Sequence, residues 1–152
     1  MRSMQSGKAE KTLLIVEDEA LVAITLRDVL NEAGHHVLEL TDKYENALEV
    51  AKAGKPDLAL VNIRLAGRDD GVGVAEQLKA MGIPVLLISG QVSRAKSADT
   101  AAIASLPKPY DAADMVVAVA YLLARLDGDS SLPMPDGLEV FDNEGFDLAP
   151  TA

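Results

Sequence analysis

The sequence predicts a doubly wound α/β fold, with a five-stranded parallel sheet in the flavodoxin-like order 2-1-3-4-5 and helices on both faces. Two observations lead to this prediction. Short apolar runs alternate five times with segments of helical periodicity. The third run, residues 58–63, is apolar apart from Asn62, which is typical of a strand buried on both faces. Because each parallel crossover needs a covering helix and is right-handed, we expect helices on both faces.

The first strand and helix are joined by an acidic turn. Residues 12–16 (TLLIV) form a β-rich run that stops at Glu17, Asp18 and Glu19. Apolar residues spaced i, i+4, i+7 and i+8 then predict a helix that ends near Gly34.

The later elements repeat this unit of strand, turn and helix. The last helix is predicted from an apolar stripe that follows Asp111 and Asp114, residues suited to its N-cap and first turn. The predicted strands are 36–40, 58–63, 85–88 and 104–106, and the predicted helices are 44–53, 72–81, about 94–103 and 111–126.

Length and composition indicate one soluble domain. A chain of 152 residues with 49% hydrophobic content can build one ordinary core. It has no Cys, which excludes disulfides and cysteine chemistry. The apolar runs are too short for a membrane span, and residues 1–11 lack the apolar core of a signal peptide. We therefore expect a cytoplasmic protein that does not bind membranes.

The net charge of −10 is concentrated at one end of the chain. Residues 127–152 carry seven acids and no Lys or Arg, so this segment accounts for −7 of the total. This charge argues against non-specific nucleic-acid binding. We predict a flexible N-terminus at 1–11, a domain at 12–126 and an acidic, disordered tail at 127–152. The alternative is that apolar residues in the tail form a short segment that docks on this protein or on a partner.

Polar side chains follow four of the predicted strands. Glu17 and Asp18 come after the first strand, Asn62 ends the third, Ser89 ends the fourth, and Lys108 lies just past the fifth. Ligands collect at the carboxyl ends of such strands, so we expect these side chains to share one site. Two carboxylates beside further oxygen ligands suit Mg²⁺. A hydroxyl and an ammonium could hold phosphoryl oxygens.

Five motifs together resemble the receiver domain of two-component response regulators over about residues 12–126. The motifs are IVEDE at 15–19, PDLALVNIRL at 56–65, Asp70-Gly71, LLISG at 86–90 and LPKPY at 106–110. The resemblance implies a module that accepts a phosphoryl group from a histidine kinase onto an aspartate at the end of the third strand, with Mg²⁺ held by the acidic pair.

The resemblance also implies a role for each residue of the site. Glu17 and Asp18 match the metal-binding acids, and the backbone carbonyl of Arg64 matches a further ligand. Ser89 matches the switch hydroxyl, and Lys108 matches the lysine that contacts the phosphoryl group. The bond between Lys108 and Pro109 is often cis in the family.

The chain departs from the family pattern at two positions. Asn62 stands where the family has the acceptor aspartate, and an amide is a poor nucleophile, so we expect no phosphorylation there and weakened Mg²⁺ binding. Ser105 stands where the family usually has an aromatic switch residue. Asp69 and Asp70 could be proposed as substitute acceptors, but Asp is common in such loops for turn reasons.

The function predicted is a stand-alone, non-enzymatic receiver that acts through protein–protein contacts, as a monomer or weak homodimer. Its expected partners are a histidine kinase or phosphotransferase protein and a downstream target, contacted through the fourth helix, fifth strand and fifth helix. Asn62 is either natural, giving a degenerate receiver, or an engineered change from Asp. The alternative function is a Mg²⁺-dependent phosphatase-like or ligand-binding α/β protein.

Overall fold

The computed structural model describes residues 10–65, 70–89 and 101–141, which form one mixed sheet with helices on both faces. We number the elements in chain order. The strands are β1 (Thr12–Val16), β2 (His36–Val37), β3 (Leu58–Asn62), β4 (Val85–Ser89), β5 (Ala104–Pro107) and β6 (Glu139–Val140), and the helices are α1 (Ala20–Glu32), α2 (Tyr44–Gly54), α3 (Gly71–Ala80) and α4 (Ala112–Leu126).

The strand order is β2-β1-β3-β4-β5-β6. The first five strands are parallel, and β6 runs antiparallel to β5. The predicted fold class and the order 2-1-3-4-5 are therefore confirmed, with one strand added at the edge. Pairing of Val16 with Val61 and of Ser89 with Pro107 brings the carboxyl ends of four strands to one edge.

The core has two parts, one on each face of the sheet. Leu13 and Ile15 of β1 pack on the side of α1 and α4, whereas Leu14 and Val16 pack on the side of α2 and α3. Successive side chains of a strand point to opposite faces, so a strand covered by helices on both faces is apolar throughout. The same reason explains the complete burial of the apolar side chains of β3.

The second strand is shorter than predicted, with two residues in place of five. Leu38 packs into the core beside α2 and α3, whereas Leu40 packs into the core beside α1 and α4. A regular strand would place residues two apart on the same face, so the segment from Leu38 to Leu40 is not a continuation of the strand, which ends at Val37. The chain still follows β1, since the Leu38 and Thr41 amides donate to the carbonyls of Leu13 and Ile15.

Two helix starts carry the side-chain caps that aspartate favours. Asp111 accepts a hydrogen bond from the Asp114 amide at 2.9 Å, and Asp114 accepts one from the Asp111 amide at 3.1 Å. Asp70 accepts from the Val72 amide at 2.8 Å at the start of α3. The predicted helix near residues 94–103 lies for the most part outside the described residues, and 101–103 are not helical.

The segment predicted as a tail supplies β6. Leu138 and Phe141 flank this strand, with 5% and 8% of their surface exposed, and pack into the two halves of the core. The contact matches the alternative in which apolar residues of the segment dock on this protein. Residues 142–152 lie outside the described part, as do residues 1–9 of the predicted flexible N-terminus. Among the helices described here, none is long and apolar enough to cross a membrane.

Candidate functional site

The candidate site lies at the carboxyl edge of the sheet, where β1 and β3 are neighbours. After β1 the chain continues to β2, which lies on one side of the β1–β3 pair, and after β3 it continues to β4, which lies on the other side. The strand order therefore reverses between β1 and β3, which is where ligands bind in folds of this class. Glu17 directly follows β1, and Asn62 is the last residue of β3. Both side chains are buried, with 2% and 5% of their surface exposed.

Asn62 and Glu17 are in direct contact. The Nδ2 of Asn62 donates a hydrogen bond of 3.1 Å to the Oε2 of Glu17. The same oxygen accepts a bond of 3.1 Å from the Glu19 amide. Oε1 of Glu17 is buried and has no hydrogen-bond partner among the described residues. One carboxylate oxygen is thus held in place, while the other is left for a further donor or a cation.

Burial raises the pKa of Glu17, because the charged carboxylate has lost contact with water. The hydrogen bond from the Glu19 amide and the positive charge of Lys108 both lower this pKa, and proximity to Asp18 raises it. Asp18 and Lys108 themselves are exposed at the rim of the site.

Ser89 and Lys108 meet at the ends of β4 and β5. The Lys108 amide donates to the Ser89 carbonyl at 2.9 Å. Ser89 is buried, with 7% of its surface exposed. The Lys108–Pro109 peptide bond is cis. The structure thus brings Glu17, Asn62, Ser89 and Lys108 to the same edge of the sheet.

Tyr110 and a groove adjoin this edge. Burial, followed by the negative charges of Glu17 and Glu19, raises the pKa of Tyr110 to about 12. The groove has a volume of about 450 Å³ and lies between α1 and the start of α4. It is lined by Glu19, Leu21, Val22, Thr25, Leu26, Lys108, Pro109, Tyr110 and Ala112. Tyr110 belongs to the LPKPY motif, but the sequence pattern alone does not assign it to the site.

Gly71 lies against the end of β3. A Cβ atom at this position would come within 2.1 Å of the Asn62 carbonyl oxygen, so only glycine fits without a shift of the backbone. The Gly71 amide also donates to the Ile63 carbonyl at 2.7 Å. This close approach packs the start of α3 against Asn62.

The structure gives Asp70 a different role from that of a substitute phosphoryl acceptor. Asp70 caps α3, as a turn residue would, and forms an isolated bridge with Arg64. Asp69 lies outside the described residues. Ser105 is buried in β5, beside Leu87 of β4 and Glu139 of β6.

The oxygen ligands at this edge suit a hard cation, although their total negative charge is small. Two carboxylates and an amide oxygen are the ligand types that Mg²⁺ prefers. The buried Oε1 of Glu17 is an oxygen that a cation would satisfy. Within 10–65, 70–89 and 101–141, no group of three or more acidic, His or Cys residues could hold a metal ion. The residues present fit Mg²⁺ with one negative charge fewer than three carboxylates would supply.

Comparisons with known proteins agree with this architecture. Residues 13–120 match the family model of the response regulator receiver domain. The chain is similar to the transcriptional regulatory protein PdtaR of Mycobacterium tuberculosis, with 29% identity over 76% of this chain and 58% of PdtaR. It is also similar to the phyllosphere-induced regulator PhyR of Methylorubrum extorquens, with 30% identity over 73% of this chain and 43% of PhyR. The chain thus spans about half the length of these relatives.

The chain is also similar to solved structures of response regulators and receiver domains. A putative response regulator from Chloroflexus aurantiacus matches with a TM-score of 0.68 and 30% identity, over 76% of this chain and 99% of that one. The signal receiver domain of a modulated diguanylate cyclase from Desulfovibrio desulfuricans matches with a TM-score of 0.61 and 39% identity, over 68% and 85% of the two chains.

Proposed function

The chain belongs to the response regulator receiver domain family of two-component signalling, and on that premise we propose that it acts through protein–protein contacts without accepting a phosphoryl group at Asn62. The observation that carries this proposal is the hydrogen bond from the Asn62 amide to Glu17. No observation favours the alternative of a phosphatase-like enzyme over the family role.

The chemistry of the amide supports the proposal. Phosphoryl acceptance at position 62 would need a nucleophilic side-chain atom, such as a carboxylate oxygen, that attacks phosphorus while the leaving group departs. The amide nitrogen of Asn62 has its lone pair delocalised into the carbonyl, and its N–H group donates a hydrogen bond to Glu17. Neither feature provides a nucleophile. We therefore propose that Asn62 preserves the geometry of the site but does not form a covalent bond to phosphorus.

We infer a weakened Mg²⁺ site at the same place. Glu17, Asp18, the Asn62 amide oxygen and the Arg64 carbonyl would hold the ion. When bound, Mg²⁺ supplies positive charge that offsets the negative oxygens of a phosphoryl group. Ser89 and Lys108 are proposed to contact those oxygens through a hydroxyl and an ammonium. Replacing a carboxylate by an amide removes one negative charge and lowers affinity for the cation.

Response regulators interact with histidine kinases and downstream targets, and we propose partners of both kinds for this chain. The groove beside the site supports a docking role, because Leu21 at its rim is 81% exposed. Apolar patches that border a site mark protein contacts, and Leu21 and Val22 line this groove together with Pro109 and Tyr110. We place this activity in the cytoplasm, with the chain as a monomer or weak homodimer.

Incubation with acetyl phosphate and MgCl₂, followed by intact-protein mass spectrometry, tests the proposal. We expect no phosphoryl adduct on the chain as it stands. In an Asn62→Asp variant, a carboxylate oxygen can attack phosphorus and release acetate, so we expect one labile phosphoryl adduct. An Asn62→Asp/Lys108→Ala variant should form that adduct more slowly. A labile adduct on the unaltered chain would show that another residue accepts phosphate.

A further inference from the structure

The outer edge of β5 carries a feature that the receiver function leaves unexplained. Without β6, β5 would be the edge strand of the sheet that the described residues form, with unpaired backbone groups. We propose that this edge is a binding site for an extended peptide, and that residues 138–141 (LEVF) fill it as a built-in ligand. A partner segment of the same chemistry would bind by displacing them. The proposal goes beyond the function assigned above and does not depend on Asn62.

Main-chain hydrogen bonding provides the first part of the argument. Val140 pairs with Ala104 and Glu139 pairs with Ser105 in antiparallel register. The Phe141 amide donates to the Ile103 carbonyl at 2.7 Å. Backbone pairing of this kind gives affinity for an extended segment without regard to most of its side chains. The contact with β5 extends over two paired residues and this one flanking bond.

Two apolar anchors give the edge its selectivity. Leu138 packs into the core beside α1 and α4, and Phe141 packs into the core beside α2 and α3. The two side chains therefore lie on opposite faces of the sheet at its edge. Glu139 between them is exposed. The edge thus selects a segment with apolar residues three positions apart, and the exposed position after the first of them faces water.

The connector to this segment lies on the surface. Residues 127–137 are exposed apart from the half-buried Pro135. Gly128 and Gly137 near its two ends have positive φ values of 89° and 84°, which suit turns. Opening the segment therefore requires the connector to move through solvent and the two anchors, Leu138 and Phe141, to leave the core. Because the connector keeps the segment close, a competing peptide must overcome a high effective concentration.

The partner implied by this geometry is a protein that presents an extended strand of the pattern apolar, polar, apolar, apolar. Such a strand would add to the sheet beside β5 and place its first and last apolar side chains in the sites of Leu138 and Phe141. Binding would release residues 138–141 at the same time.

A trans-peptide experiment on the full chain tests the proposal. The anchors are removed in a Leu138→Ala/Phe141→Ala variant, and binding of a fluorescein-labelled peptide of residues 136–142 (DGLEVFD) is followed by fluorescence anisotropy. The matched control is Leu132→Ala/Met134→Ala, which removes two exposed apolar side chains of the connector. A labelled peptide with both anchors replaced by alanine serves as the second control.

We expect saturable binding of the unaltered peptide to the anchor variant, and binding at least about tenfold weaker to the wild type and to the connector variant. Hydrogen exchange at residues 103–106 should be faster in the anchor variant and slow again when the peptide is added. Equal binding to all three chains would overturn the proposal, as would a folded anchor variant that takes up no peptide. Loss of cooperative unfolding in the anchor variant would also overturn it, because residues 138–141 would then be an integral part of the core.

Discussion

The Nδ2 atom of Asn62 lies 3.1 Å from the Oε2 atom of Glu17 and donates a hydrogen bond to it, although the two residues are 45 positions apart in the chain. Both side chains are buried at the edge where β1 and β3 end. An aspartate in place of Asn62 would set two carboxylates against each other, whereas the amide supplies a donor. The contact therefore stabilises a buried acid that would otherwise face a like charge.

Asn62→Asp should make the stability of the protein depend on Mg²⁺. The change removes the donor to Glu17 and adds a buried negative charge, so we expect the free energy of unfolding to fall by about 1–3 kcal/mol in EDTA. Millimolar MgCl₂ should restore it, because a ligand that binds the folded state stabilises it. Thermal unfolding with and without the ion measures both effects.

Asn31→Asp is the matched control for the added charge. Asn31 is exposed, and its Oδ1 atom accepts a bond from the Val37 amide that an aspartate oxygen can also accept. We expect this variant to respond to MgCl₂ as the wild type does. An equal response of all three chains to the ion would contradict the inferred cation site.

Gly71→Ala should destabilise the fold and disturb the site. The added Cβ would meet the Asn62 carbonyl oxygen at 2.1 Å, and a backbone atom cannot move away as a flexible side chain can. We expect a loss of about 1–3 kcal/mol in the free energy of unfolding, measured by urea denaturation. Gly73→Ala is the control, since the nearest atom to its Cβ is Tyr44 Cε2 at 3.9 Å. There we expect a gain of about 0.5–1 kcal/mol, from the helical preference of alanine, and a similar loss in both variants would count against the close approach.

Tyr110 should make stability fall in alkaline solution. Its pKa rises from 10.0 to about 12 on folding, so the folded state keeps a proton that the unfolded state loses between these values. The free energy of unfolding therefore declines as pH rises through this window. The ultraviolet absorbance of tyrosinate should show a late step that Tyr110→Phe abolishes and Tyr44→Phe retains. Glu19→Gln should shift this step to lower pH, because it removes one of the negative charges that raise the pKa.

Asp127→Asn should weaken the attachment of the chain before β1. Lys11 Nζ lies 2.9 Å from an oxygen of Asp127, and the Lys11 side chain is 10% exposed. Asparagine leaves that ammonium without its counter-charge, so we expect a loss of about 1 kcal/mol in the free energy of unfolding, measured by urea denaturation. Asp129→Asn is the control, because Asp129 is exposed. Its side chain accepts a hydrogen bond from the backbone N–H of Ser131, and the side-chain oxygen of asparagine can accept the same bond. Equal losses in the two variants would argue against a special role for the Lys11 pair.

The sequence predicted the central strands well because their physical signal is local. The predicted strand 12–16 is β1 as observed, and β3 ends one residue before the predicted limit. Both strands are covered on two faces, which requires an unbroken apolar run that can be read from the sequence. The strands at the edges of the sheet, β2 and β6, are only two residues long and lack such an apolar run. The second strand was predicted too long, and β6 was not predicted as a strand because Glu139 interrupts its short apolar segment, which lies in a stretch rich in Gly, Pro and Asp.

The sequence by itself determined the residue types at the strand ends, including the amide at position 62, because each follows its own apolar run. Only the tertiary structure decided which of them touch. The contact of Asn62 with Glu17 depends on the register of β3 against β1, and the docking of residues 138–141 depends on a free edge at β5. Register is fixed when the apolar faces of two distant strands are buried together, so the sequence of one strand alone does not determine it.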